Sequence, residues 1–127
     1  MSDKKFTVRL EIEVNLSEQD IDDIMVGALE GGINYWCGKA EVVGEYLGEC
    51  GSEQIARGGT LLLHDAESNK KWELTREKFL NGFALWLANG GDEYHAVSGG
   101  EVDCCNIDAG CADSIIQYAL FGEEVFG

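Results

Sequence analysis

The sequence predicts an α+β fold, and three patterns predict it. A strict period-two alternation opens the chain, shorter strand-like runs fill its middle, and three segments carry apolar residues at helical spacing. The order is one strand, a helix, several strands and then two helices, which suits an antiparallel sheet with about three helices packed on one face. At 127 residues the chain has the length of one domain, and no repeat, low-complexity tract or linker divides it, so a single domain over residues 1–127 is expected. A hydrophobic fraction of 45% supplies a core without help from metal or cross-links.

The first element is "KFTVRLEIEVNL", in which Phe6, Val8, Leu10, Ile12, Val14 and Leu16 face one way and Thr7, Arg9, Glu11, Glu13 and Asn15 the other. That alternation describes a strand with one wet face, and a sheet wet on one side is usually antiparallel. A helix follows in "SEQDIDDIMVGALEGG". Ser17 is its N-cap with Asp20 three residues on, Ile21, Ile24, Met25, Ala28 and Leu29 form its apolar stripe, and Gly31-Gly32 stops it. "INYWC" and "KAEVVGEYL" read as strands, and "TLLLHDAESNKKWELT" as a hairpin whose loop lies near "AESNKK". Thr75 caps a second helix, "REKFLNGFALWLA", with Phe79, Leu80, Phe83, Trp86 and Leu87 inward and Asn89-Gly90-Gly91 ending it. A third helix begins near Asp108, with Ala112, Ile115, Ile116, Ala119 and Leu120 inward and Gly122 beyond its last turn. With no proline and 17 glycines, chain reversals fall to Gly, Asn and Asp conformers.

Motifs of known chemistry are missing. "GGINYWCGKA" imitates a P-loop, but Ile33 stands where its first glycine belongs and Ala40 where a magnesium-holding Ser or Thr should follow Lys39. The two histidines, His64 and His95, read as ordinary surface or edge residues. Carboxylates are too plentiful for an acid–base pair to stand out. Nothing supports an enzyme, and a non-catalytic protein is expected.

"DCCNIDAGC" places three of the five cysteines within nine residues. No secretory leader or membrane-length apolar run accompanies them, so the expected compartment is the cytoplasm, where thiols stay reduced. Five is also an odd number, which a closed disulfide framework cannot use up. Two readings remain, buried thiols acting as small hydrophobes and one structural zinc. For zinc the candidate ligands are Cys37, Cys50, Cys105 and Cys111, with His64 or His95 as substitutes. Cys104 is the spare, because adjacent residues in an extended stretch point to opposite faces. Cys111 falls in the first turn of the third helix, where unpaired amides are expected to favour thiolate.

Charge is the strongest signal. The chain carries 24 acids against 9 bases, net −15. From Leu10 to Gly38 there are seven acids and no Lys or Arg, and after Lys78 no Lys or Arg occurs at all. Such a field repels nucleic acid and anionic membrane and steers basic partners in. On the first helix Asp20, Asp22, Asp23 and Glu30 form the candidate contact set. Carboxylates three or four residues apart on a helix stand about 5–6 Å from one another, a spacing able to occupy a groove lined with Lys and Arg for phosphates.

The stretches "DIDDIMVGALEGGINYWC", "AEVVGEYLGE" and "IIQYALFGEEVFG" resemble a family of small acidic proteins carried by prophages and integrative elements of Firmicutes. The similarity runs through nearly the whole chain from Ser17 onward. Some acidic proteins of that setting are type II anti-CRISPRs, which bind Cas9 and block DNA binding or cleavage. The resemblance implies a mobile-element protein acting in the host bacterial cytoplasm. Together with the charge, it leads to the expectation of an inhibitor of a host defence nuclease, most concretely Cas9, working as a DNA mimic through protein contact. The competing expectation is a zinc-binding structural or adaptor protein whose cysteines matter more than its charge.

Overall fold

A computed structural model describes residues 14–89, 97–98, 101–102 and 107–127. The predicted first strand lies mostly outside the described residues, which include only its end at Val14, Asn15 and Leu16. His95, Cys104 and Cys105 also lie outside them.

Helix α1 spans Glu18–Gly27 and begins as its sequence predicts. The Ser17 hydroxyl accepts from the Asp20 amide at 3.0 Å, while the Ser17 amide donates to the Asp20 carboxylate at 2.9 Å. This reciprocal capping box satisfies two of the donors a helix start leaves open. Ile21, Ile24 and Met25 are buried, and Ala28 continues that face into a π-helical turn, Ala28–Gly32. There Gly31 leaves the helical conformation and the helix ends, at the expected glycine pair.

"INYWC" is a turn rather than a strand. The amides of Trp36 and Cys37 both donate to the Ile33 carbonyl, and strand β1 starts only at Cys37, running Cys37–Val43. The buried pair Ile33 and Trp36 is spaced by three, which fits a tight turn and not a pleat. The expected strand "KAEVVGEYL" is likewise shorter, because Gly44 adopts φ +79°, a left-handed conformation that turns the chain after Val43.

Strands β2 (Thr60–Asp65) and β3 (Lys71–Leu74) form the predicted hairpin, and β1 adds to its free side. The order is β1-β2-β3, with both pairings antiparallel. Register separates the two faces. Leu61, Leu63 and Leu74 lie inward and fully buried, whereas Lys39, Glu41, His64, Lys71 and Glu73 share the outer face. A short pair, β4 (Val97–Ser98) and β5 (Glu101–Val102), is also antiparallel.

Helix α2 covers Arg76–Ala88 behind its Thr75 cap, and α3 covers Ala109–Phe121 behind Asp108, ending at Gly122 with φ +73°. One core joins the inner sheet face to Ile24, Met25, Phe79, Phe83, Trp86, Ile115 and Ile116. Leu80 departs from expectation, being 42% exposed. The α2–α3 crossing is centred on Gly82, which together with Phe79, Phe83 and Trp86 forms the buried face of α2, and Leu80 falls beside that seam. The result is a small α+β domain with helices on one face of an antiparallel sheet.

Candidate acidic surface, thiols and buried carboxylate

The four candidate contact residues, Asp20, Asp22 and Asp23 on α1 and Glu30 in the π-helical turn after it, do not share one environment. Asp23 and Glu30 are exposed on either side of Val26, itself 36% exposed, and Asp23 accepts from the Gln19 amide at 2.8 Å. Asp20 is half-exposed in the capping box. Asp22 turns inward to Arg57, its carboxylate oxygens each 3.3 Å from Nη1.

Arg57 is the centre of an acidic cluster. Its Nη2 stands 2.9 Å from Glu18 and 3.6 Å from Glu53, and Nη1 donates to the Glu53 carbonyl at 2.9 Å. Desolvation works against the guanidinium's charge, but the Asp22 hydrogen bond and the surrounding carboxylates outweigh it and raise its pKa. Three carboxylates around one cation leave a local negative surplus, and the cluster fixes α1 to the 3-10 turn Gly51–Glu53. Several bases are engaged elsewhere. Lys39 pairs with Glu41 at 3.7 Å, Arg76 donates to the Ala56 carbonyl, and Lys78 donates to the Glu73 carbonyl.

The described zinc candidates are placed in three settings. Cys37 is buried at the start of β1, with its thiol 3.3 Å from the Lys39 carbonyl, and burial raises its pKa. Cys111 is buried in the first turn of α3, and Cys50 is exposed. The expectation of a thiolate at Cys111 is corrected. Its pKa is pushed up to about 11, first by burial and then by the neighbouring Asp108 carboxylate. The open amide meant to favour thiolate is instead taken by Asp108, which accepts from the Cys111 N–H at 2.8 Å. Among the described residues no three His, Cys, Asp or Glu side chains stand together as a metal's ligands would, and Cys105 lies outside them. His64 is a sheet histidine 3.2 Å from Glu41.

Two features went unread in the sequence. Asp113, 9% exposed, accepts from the Trp36 indole at 2.8 Å, the Tyr35 hydroxyl at 2.6 Å and the Gln117 amide at 2.9 Å. Gln117 in turn accepts from the amides of Val125 and Phe126, so the chain after α3 folds back and Phe126 stacks on Trp36 with centroids 5.0 Å apart. The second feature is the loop between Gly44 and Cys50, held from below by Glu53 and Gln54. The first joins residues whose meeting depends on the fold, whereas the second is held by side chains only three to nine residues along the chain.

Two cavities are lined by described residues. One of about 310 Å³ is lined by Leu29, Ile33, Asn34, Cys37 and Lys39, and one of about 200 Å³ by Tyr35, Trp36, Asp65, Glu67 and Phe126. Among the described residues no helix is long and apolar enough to cross a membrane. Compared with protein-family models, with curated proteins and with solved structures, the chain matches none.

Proposed function

We propose that the chain acts without catalysis, as an inhibitor whose acidic surface engages the Lys- and Arg-lined channel of a host nucleic-acid enzyme and keeps nucleic acid out of it. A Cas9-type nuclease is the most concrete target. One observation carries the reading: the anionic surplus of a net −15 chain includes carboxylates on a capped helix and the π-helical turn after it, with Asp20, Asp23 and Glu30 accessible and Glu18, Asp22 and Glu53 gathered around Arg57. Pre-organised negative charge of this kind complements a phosphate-binding groove and accelerates encounter with it.

The test is DNA cleavage by purified, guide-loaded Cas9 with increasing amounts of the protein. Inhibition should be strong at low ionic strength and weaken as salt rises. A variant carrying Asp23→Lys and Glu30→Lys should inhibit poorly while remaining folded, because exposed carboxylates contribute little to stability. Adding Asp20→Lys should weaken inhibition further, with about 1 kcal/mol lost from the helix cap. Cleavage indifferent to the protein, or inhibition indifferent to salt, defeats the proposal.

A further inference from the structure

The chain between Gly44 and Cys50 has no regular secondary structure, yet it is held firmly. Gln54, 1% exposed, grips it with both ends of its amide, accepting from the Leu47 N–H and donating to the Glu45 carbonyl, each at 3.0 Å. One oxygen of Glu53 accepts from the amides of Glu49 and Cys50, at 2.9 and 3.1 Å. The fit is close. A Cβ on Gly48 would stand 2.7 Å from that of Glu53, and one on Gly59 would collide with the Gln54 side chain.

What this support presents to solvent is apolar. Tyr46 is 63% exposed and Leu47 47%, and Val43 at the end of β1 is also exposed. The apolar side chains of this fixed loop point out rather than into the core. Glu45 and Glu49 flank the pair as exposed carboxylates. The other oxygen of Glu53 faces Arg57, which binds Glu18 and Asp22, so one carboxylate joins this loop to the acidic cluster on α1.

We infer that Tyr46 and Leu47 are the apolar anchor of an interaction surface. Its partner is a protein segment that offers an aliphatic or aromatic contact flanked by Lys or Arg. The flanking carboxylates set the partner's charge, and for that sign the inference rests on the acidic-surface reading above. Tyrosine is among the residues that dominate binding energy when an interface buries it, and a loop already held in one conformation loses little entropy on docking. Binding therefore combines charge steering by Glu45, Glu49 and α1 with burial of Tyr46 and Leu47.

A random-sequence peptide display library selected on the immobilised protein tests this without any assumed target. Enriched peptides should pair an aliphatic or aromatic residue with Lys or Arg. The selected peptide should lose about tenfold or more in affinity for a Tyr46→Ala/Leu47→Ala variant, the usual scale of an aromatic hot spot. Both side chains are exposed, so that variant should melt like the parent. Gln54→Ala, which frees the loop without touching the anchor, should weaken the same peptide. Basic peptides that bind the parent and the Tyr46→Ala/Leu47→Ala variant equally would overturn the anchor and leave the acidic-surface reading standing. Apolar peptides without basic residues would overturn the assigned partner chemistry and count against that reading too. An absence of enrichment overturns the inference, as does a dimer of the parent that the double substitution dissolves, since a second copy would then be the occupant.

Discussion

Cys111 and Tyr35 both hold protons that desolvation and a nearby carboxylate favour. The Cys111 thiol is raised from 9.0 to about 11, by burial and then by Asp108. Tyr35 is 54% exposed, but desolvation around its hydroxyl and then its hydrogen bond to Asp113 raise the phenol from 10.0 to about 12. In each case the folded value lies above the unfolded one, so the stabilisation is complete below the unfolded pKa and is lost as pH climbs toward the folded one. The melting temperature should therefore hold steady through neutral pH on account of these groups, then fall between pH 9 and 12. Cys111→Ala should make that fall shallower from pH 9 upward, while Cys37, whose thiol burial also raises, and Tyr35 sustain the remainder. Melting curves followed by circular dichroism across pH 7–12 check it, and equal slopes for parent and variant would contradict the assignment. The residue scale is also where the sequence is least informative. Asp113 reads there as one more acid after Lys78, yet two of its donors come from positions 77 and 78 residues away. A charge pattern counts a carboxylate the same way whether it meets water or an indole N–H.

The elements were far more legible. Ser17, Thr75 and Asp108 all cap helices, Gly122 closes α3, and the β2–β3 hairpin turns where its polar loop lies. These signals are local, and so is the physics behind them, since a cap satisfies amides within three or four residues of itself. Residues 44–59 show neither helical nor alternating periodicity, and their order depends on bonds from Glu53 and Gln54 to backbone within the segment and on Arg57 reaching across to α1. Gly82 lies between these cases. In "NGFALW" it looks like a weak point in a helix, but a Cβ there would stand 2.5–2.6 Å from the Ala119 backbone of α3. Glycine is thus what lets α2 and α3 approach. By propensity alone Gly82→Ala would stabilise the helix by about 1 kcal/mol. Forcing the helices apart should instead give a net loss of about 2 kcal/mol, within the usual range for an overpacked core. Urea denaturation of Gly82→Ala measures it, with Ala84→Gly on the exposed side of α2 as the reference for the propensity effect. A more stable Gly82→Ala variant would mean that the crossing readily widens.

For the whole molecule, one charge distribution should give two opposite responses to salt. A net charge of −15 on 127 residues repels itself, and folding concentrates that charge. Part of the repulsion is relieved locally, as at Arg57, where three carboxylates share one guanidinium, and at the Lys39–Glu41 pair. The exposed acids Asp23, Glu30, Glu45 and Glu49 lie at the surface, where mobile ions reach them. Raising ionic strength shortens the screening length from about 30 Å at 0.01 M to about 8 Å at 0.15 M. Repulsion between surface carboxylates then fades, while the partly buried contacts of Asp22 are screened much less. The isolated protein should accordingly melt at higher temperature as sodium chloride rises over that range, because screening lowers the self-repulsion that opposes compaction. Over the same range its association with a basic partner should weaken, because there screening removes an attraction. Thermal melts of the parent and of Asp23→Lys/Glu30→Lys at matched salt separate the two effects. The double substitution changes the net charge from −15 to −11, so its melting temperature should rise less steeply with salt. A parent that melts lower in salt would mean that the ion pairs around Arg57 outweigh the repulsion of the whole, and that the excess charge is better compensated in the folded chain than its composition suggests.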